Sequence, residues 1–355
     1  MTTDTVGGVW TYCLELAKTL GEEGVETVLA TMGRPVSEQH AAEALRVPGL
    51  TLYQSSYKLE WMPSPWPEVD QAGEWLIELD RELEPDVVHL NNFAHASLPW
   101  SAPVVVVAHS CVLSWWRAVH GENAPPEWDE YASRVGRGLR AATHVVAPTR
   151  AMMSCVQEHY GPLLSKSVIP NCRRADLFQA SRKEPIIFSA GRLWDQAKNV
   201  GLLDKIAPDL PWPVYLAGDG FGAQHANTLG QLSPVETGGW LSRASIYAMP
   251  ARYEPFGLSV LEAALSGCAL VLSDIESLRE NWQDAALCIP PDDEEQWRSV
   301  LCDLANLPEH RQELASRARR RAIEFSPSRT ARLYLGLYED LIRQQEATRK
   351  RAMVI

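Results

Sequence analysis

"RYEPFGLSVLEAALSG", residues 252–267, sets two carboxylates, Glu254 and Glu262, on either side of a Pro-Phe-Gly turn and the first turns of a helix. Pro255 and Gly257 suit the turn, Leu258–Ser266 reads as a short helix, and Gly267 ends it. Glu262 falls among Val260, Leu261, Ala263 and Ala264, an apolar setting for a charge. One carboxylate near a helix N-terminus is ordinary, because the dipole favours it. Two of them would repel a bound diphosphate unless they accept hydrogen bonds from sugar hydroxyls, a task carboxylates do well. The backbone N–H groups of Phe256, Gly257 and Leu258 would then face a phosphate or sugar oxygens.

A diphosphate also needs cations. "AGRLWDQAKNV", residues 190–200, follows a strand and supplies Arg192 and Lys198 on one connecting loop. Taken alone, those two residues read equally well as solvent-exposed basic side chains. "GDGFGA", residues 218–223, matches G-x-G-x-x-A after a strand and suggests a dinucleotide site. The nearest later acid, Glu236, falls short of the usual offset of about 20 residues and sits in a turn-rich segment. No D-x-D, H-E-x-x-H or G-x-S-x-G motif occurs.

Outward from this region, short β-rich runs recur along the chain: "TVLAT" 27–31, "DVVHL" 86–90, "VVVVAH" 104–109, "HVVAP" 144–148, "IIFSAG" 186–191, "PVYLAG" 213–218, "SIYAMP" 245–250 and "CALVLS" 268–273. Val9, Tyr12, Cys13, Leu16, Ala17 and Leu20 follow an amphipathic helical period, and helical stretches separate most of the runs. Apolar strands alternating with helices predict parallel sheets covered on both faces. The polar stretch "VIPNCRRADLFQASRKEP", 168–185, precedes a fresh strand and predicts a domain boundary. Two doubly wound α/β domains follow, facing an inter-domain cleft, because such sheets bind ligands beyond the carboxyl ends of their strands. "MTTDTVGG" reaches a Gly-Gly turn almost at once, so the first strand is very short or partly missing.

The 355 residues are 46% apolar and 22% charged, a globular composition, and their length suggests two domains. A formal charge of −12 argues against a nucleic-acid or anionic-membrane surface. The cluster Arg317, Arg319, Arg320 and Arg321 reads as a solvated helix face. Seven scattered cysteines, without a C-x-x-C pair or a zinc spacing, fit reduced thiols in a cytoplasm. No signal peptide or apolar run near ~20 residues is present, so a soluble protein is expected, with peripheral membrane contact as the remaining option.

With these pieces in order, the chain resembles the family 4 retaining glycosyltransferases of the GT-B fold. Glu254 and Glu262 in "EPFGLSVLE" are similar to that family's double-glutamate signature. "GGVWTYCLELAKTL" resembles its N-terminal glycine loop and helix, and "VVVVAHS" its strand ending in an active-site histidine. "VVHL" resembles its third or fourth strand, and "VYLAGDG" a later strand and turn. "VIPNC" resembles its "PNG" opening of the second domain, with Cys172 in place of glycine, and "GRLWDQAKN" its diphosphate-binding arginine and lysine. The resemblance implies an acceptor-binding domain over 1–172, joined by a C-terminal helix at about 328–355, and a nucleotide-sugar-binding domain over 173–327. The segment "FSPSRTARLYLGLYEDLIRQQ", 325–345, resembles a terminal helix pair that returns to the first domain.

Roles follow from the same resemblance. Arg192 and Lys198 would hold the donor diphosphate, Glu262 the ribose hydroxyls, and Glu254 the transferred sugar, beside the amides of Phe256, Gly257 and Leu258. His109 would sit near the reacting face of the sugar, and Gly7 and Gly8 would let backbone approach phosphate or acceptor. Trp115 and Trp116, just beyond His109, are the tryptophans best placed to touch an acceptor, while His89 and His95 lie at a similar strand end and would shape its pocket. Cys111 reads as a packed thiol. The expected reaction is retaining transfer of a sugar from a nucleotide-sugar, without metal or cofactor, to a small-molecule, glycan or lipid-linked acceptor. Front-face attack, with the departing phosphate taking the acceptor proton, requires no side-chain nucleophile. Three other functions fit the same residues: a sugar-nucleotide epimerase of this fold, an NAD-dependent oxidoreductase using "GDGFGA", and a non-catalytic sugar-nucleotide-binding protein.

Overall fold

Every strand pairing among the described residues, 1–352 of a computed structural model, is parallel. The chain divides into two compact units, one of residues 1–116, 122–170 and 327 onward, the other of residues 117–121 and 171–326. No helix among the described residues is long and apolar enough to cross a membrane.

The first unit runs β1 (Thr2–Asp4), α1 (Gly8–Glu22), β2 (Thr27–Met32), α2 (Glu38–Ala44), β3 (Leu50–Gln54), α3 (Trp66–Leu83), β4 (Val88–Leu90) and β5 (Val104–Val107). It continues through α4 (Val112–His120), whose last residues fall in the other unit, then α5 (Asp129–Ala141), β6 (His144–Ala147), α6 (Arg150–Tyr160) and β7 (Lys166–Val168). Its sheets have the orders β1-β2-β3 and β4-β5-β6-β7. Asn91 joins them, donating its backbone N–H to Thr2 Oγ1 at 2.9 Å and its side-chain amide to the Thr2 carbonyl at 2.6 Å. The winding therefore reverses between β1 and β4, the crevice where open α/β sheets place ligands. Strand β1 is only three residues long, yet it pairs in register with β2, Thr2 opposite Ala30.

The second unit runs β8 (Glu184–Ala190), α7 (Val200–Ile206), β9 (Val214–Ala217), β10 (Asn227–Gly230), α8 (Pro234–Arg243) and β11 (Ala244–Met249). Then follow α9 (Leu258–Leu265), β12 (Ala269–Ser273), α10 (Glu276–Trp282), β13 (Leu287–Ile289), α11 (Glu294–Asn306) and α12 (Pro308–Ile323). The sheet order is β10-β9-β8-β11-β12-β13, the doubly wound Rossmann order, with its switch point between β8 and β11. Side chains alternate across this sheet. Phe188, Tyr247, Leu270 and Leu272 enter one core with α9 and α12, and Ile187, Ile246, Ala269 and Val271 enter another with α7 and α11.

The terminal helix pair expected over 325–345 is instead one helix, α13 (Pro327–Ala352). Pro327 is tolerated at the first helical position, and Gly336 interrupts nothing because its backbone stays helical. Tyr334 and Leu341 of α13 join α1 and β5 in the first unit's core, and Tyr12 donates its hydroxyl to Tyr334 at 2.7 Å.

Candidate functional site

In the second unit, the loops leaving β8 and β11 at the switch point carry Arg192, Lys198 and Glu254, and the following helix carries Glu262. Asp195 organises the first loop, accepting from Arg192 at 3.0 Å and from the Ala197 amide at 3.0 Å. The two loops are tied by backbone, Arg252 N–H donating to the Ala197 carbonyl at 2.8 Å. Lys198 Nζ donates to Glu254 Oε2 at 2.6 Å, with both side chains largely buried. The other Glu254 oxygen accepts from the Gly257 amide at 3.0 Å, so that amide serves the loop itself. Gly257 adopts φ 85°, the left-handed region glycine enters without strain, and so turns the chain into α9. Leu258 opens the unpaired first turn of α9, while the Phe256 ring is core, edge-on to Phe325 at 5.6 Å.

Glu262, on α9, meets a residue that sequence reasoning missed. Arg173 Nε sits 2.8 Å from Glu262 Oε1. Burial raises the Glu262 carboxyl above its usual range, and Arg173 opposes that shift. Tyr247 is the second missed residue. Its hydroxyl donates to the Ala190 carbonyl at 3.2 Å and contacts Ser259 Oγ at 2.8 Å, pinning the end of β8 to α9. Burial, with Glu254 and Glu262 nearby, raises its pKa and keeps the phenol neutral.

The first two glycines of "GDGFGA" have a packing explanation. A side chain at Gly218 would place its Cβ 1.9 Å from the Gly191 carbonyl oxygen, and one at Gly220 would lie 2.7 Å from Trp194 Cβ. The turn therefore packs directly on the Arg192 loop. It leads into β10 rather than a helix, so the helix N-terminus a dinucleotide pyrophosphate needs is missing there.

In the first unit, His109 follows β5 and Gly7 precedes α1. Gly7 has φ 101°, and a Cβ there would meet nothing within 4 Å, so conformation rather than crowding demands glycine. Asn91 donates its amide to Thr2, which leaves Oδ1 to accept from His109 Nε2–H at 2.8 Å. This fixes the tautomer and leaves Nδ1 as an acceptor. Trp115 and Trp116 are half-buried on α4, edge to face with centroids 6.1 Å apart. His89 and His95 are buried and tied to Tyr338 and to the Val69 carbonyl, so they hold the scaffold. An open cavity of about 590 Å³ lies between α3 and α5, lined by Arg81, Glu78 and Arg137; of the expected site residues, His95 borders it and the others do not.

Burial lowers His109 from 6.5 to about 3, so its imidazole is neutral in the folded protein. Unfolded chains take up that proton below the ordinary value, so this stability is present above pH 6.5 and is lost as pH falls towards 3. Urea melts should show native protein losing stability faster than His109→Gln across this window, by up to about 1.4 kcal/mol per pH unit. Parallel curves would contradict the lowered His109 pKa.

A family model described as Glycosyltransferase Family 4 matches residues 6–176, and one described as Glycosyl transferases group 1 matches 184–306. D-inositol 3-phosphate glycosyltransferase of Paenarthrobacter aurescens is 25% identical, across 95% of this chain and 93% of its own. Glycogen synthase of Mycobacterium tuberculosis is 27% identical across 60% of this chain and 58% of its own. Among solved structures, sucrose-phosphate synthase from Thermosynechococcus elongatus superposes with a TM-score of 0.81 at 15% identity, covering 97% of this chain and 99% of that one. Anabaena HepE, solved with UDP and glucose, gives 0.76 at 14% identity, covering 96% and 98%.

Proposed function

Because the chain belongs to the family 4 glycosyltransferases and has the GT-B fold, we propose that it transfers a sugar from a nucleoside diphosphate sugar with retention, without a metal. One observation carries this: Lys198 pairs with Glu254 at the switch point of the second unit, with Arg192 on the same loop as Lys198 and Glu262 on the helix that follows. Arg192 and Lys198 supply the positive charge that a departing diphosphate requires, the role a divalent cation fills elsewhere. Glu254 accepts hydroxyls of the transferred sugar, and Glu262 those of the ribose. In the first unit, His109, with its acceptor Nδ1, is assigned to the reacting sugar, and Gly7, Gly8, Trp115 and Trp116 are assigned to the acceptor. No cofactor is used, and the nucleotide-sugar is substrate. The HepE structure with UDP makes UDP the first nucleotide to try.

A thermal-shift panel of UDP, GDP, ADP, dTDP and NAD in EDTA tests the reading. Ligand at a hundred times its Kd adds about 2.7 kcal/mol, a rise of several degrees. One nucleoside diphosphate is expected to raise Tm, and proton NMR of the product from its sugar conjugate should show the donor's anomeric configuration. A shift with NAD alone would contradict the proposal. Conversion of donor without an acceptor would indicate an epimerase, and binding without turnover a non-catalytic protein.

A further inference from the structure

Arg173 is held on three sides. Its Nε meets Glu262, its guanidinium lies 5.1 Å over the Phe178 ring, and its backbone N–H donates to the Phe325 carbonyl at 3.3 Å. The pair is well buried, Arg173 and Glu262 side chains being 11% and 17% exposed. Three other cations near α9 are engaged elsewhere. Lys198 takes Glu254, Arg321 of α12 donates to the Asn281 carbonyl and pairs with Glu324, and Lys183 donates to the carbonyls of Leu241 and Ser266. Arg173 is thus the cation that Glu262 has as its ion-pair partner. A carboxylate in so apolar a setting needs that counter-charge to stay an acceptor.

We propose that Arg173 is a positioning residue of the donor site, its guanidinium taking one oxygen of Glu262 and committing the carboxylate to accept the hydroxyls of the donor's ribose. This rests on the donor reading above. It assigns Arg173 no contact with the reacting atoms.

Ribose hydroxyls themselves provide the test. Calorimetry in EDTA would find which of UDP, GDP, ADP and dTDP native protein binds most tightly, then compare it with its 2′,3′-dideoxy counterpart. Native protein should prefer the hydroxyl-bearing nucleotide by about tenfold or more, as expected for hydrogen bonds to a charged group. Arg173→Met should shrink that preference to within about threefold while the dideoxy nucleotide binds as before, and Arg173→Lys should restore it. In a Glu262→Gln background, Arg173→Met should change the preference no further. If Arg173→Met does not fold, Arg173→Gln takes its place with the same expectation. An undiminished preference in the Met or Gln variant would overturn the role of Arg173 while leaving the donor site intact. Failure of native protein to bind any of the four would overturn the donor reading and this inference with it.

Discussion

Replacing Lys198 with alanine is expected to lower kcat/KM for sugar transfer by about a thousandfold, roughly 4 kcal/mol of transition-state stabilisation. Two losses combine. The departing diphosphate loses a cation aimed at its developing charge, and Glu254 loses its partner at 2.6 Å in a site where both side chains are mostly shielded from water. Leaving Glu254 Oε2 without its cation there also costs stability, about 1–3 kcal/mol, although Oε1 keeps the Gly257 amide. Initial rates should therefore be measured beside a circular-dichroism melt, at a temperature where the variant is folded. A kcat/KM within tenfold of native would remove Lys198 from the chemistry.

Gly218→Ala is expected to be equally severe by a different route. Gly218 has φ 141°, and its added methyl would fall 1.9 Å from a backbone oxygen and 2.9 Å from Leu193 Cγ. Backbone cannot yield as a flexible side chain does, so either the turn or the Arg192 loop must move. We expect about 3 kcal/mol or more of lost stability, together with loss of nucleotide binding. Gly222→Ala, four residues along, meets open space and should stay within about 0.5 kcal/mol of native. Denaturant melts and nucleotide titrations of the pair check this. Equal behaviour of the two variants would contradict the packing explanation of the motif.

The strands legible in sequence are those buried on both faces, such as Val104–Val107 and Ala244–Met249, every residue of which is buried. Those that escaped reading are mostly sheet edges. Leu50–Gln54, Lys166–Val168, Asn227–Gly230 and Leu287–Ile289 each end a sheet and are only partly buried, so their sequences carry no continuous apolar run. Arg192, Lys198, Glu254 and Glu262 stand out as charges in two short stretches, 190–200 and 252–267, and the family resemblance supplies their expected roles. Arg173 and Tyr247 do not, because one lies in an irregular polar stretch and the other inside an apolar strand. Their roles arise only when the chain brings Glu262 and Ala190 against them. Asp195, three residues after Arg192, left a signal in its spacing that reading the cations alone passed over.

The proposed donor site lies at the ends of β8 and β11, and hydrogen exchange with and without the tightest-binding nucleoside diphosphate tests that location most directly. Backbone amides slow their exchange where a ligand orders or covers them. Protection is predicted across 191–199 and 254–262, the loops and helix start that carry Arg192, Lys198, Glu254 and Glu262. Protection confined to the 218–223 turn or to the first unit, with 191–199 and 254–262 exchanging as in the free protein, would contradict it.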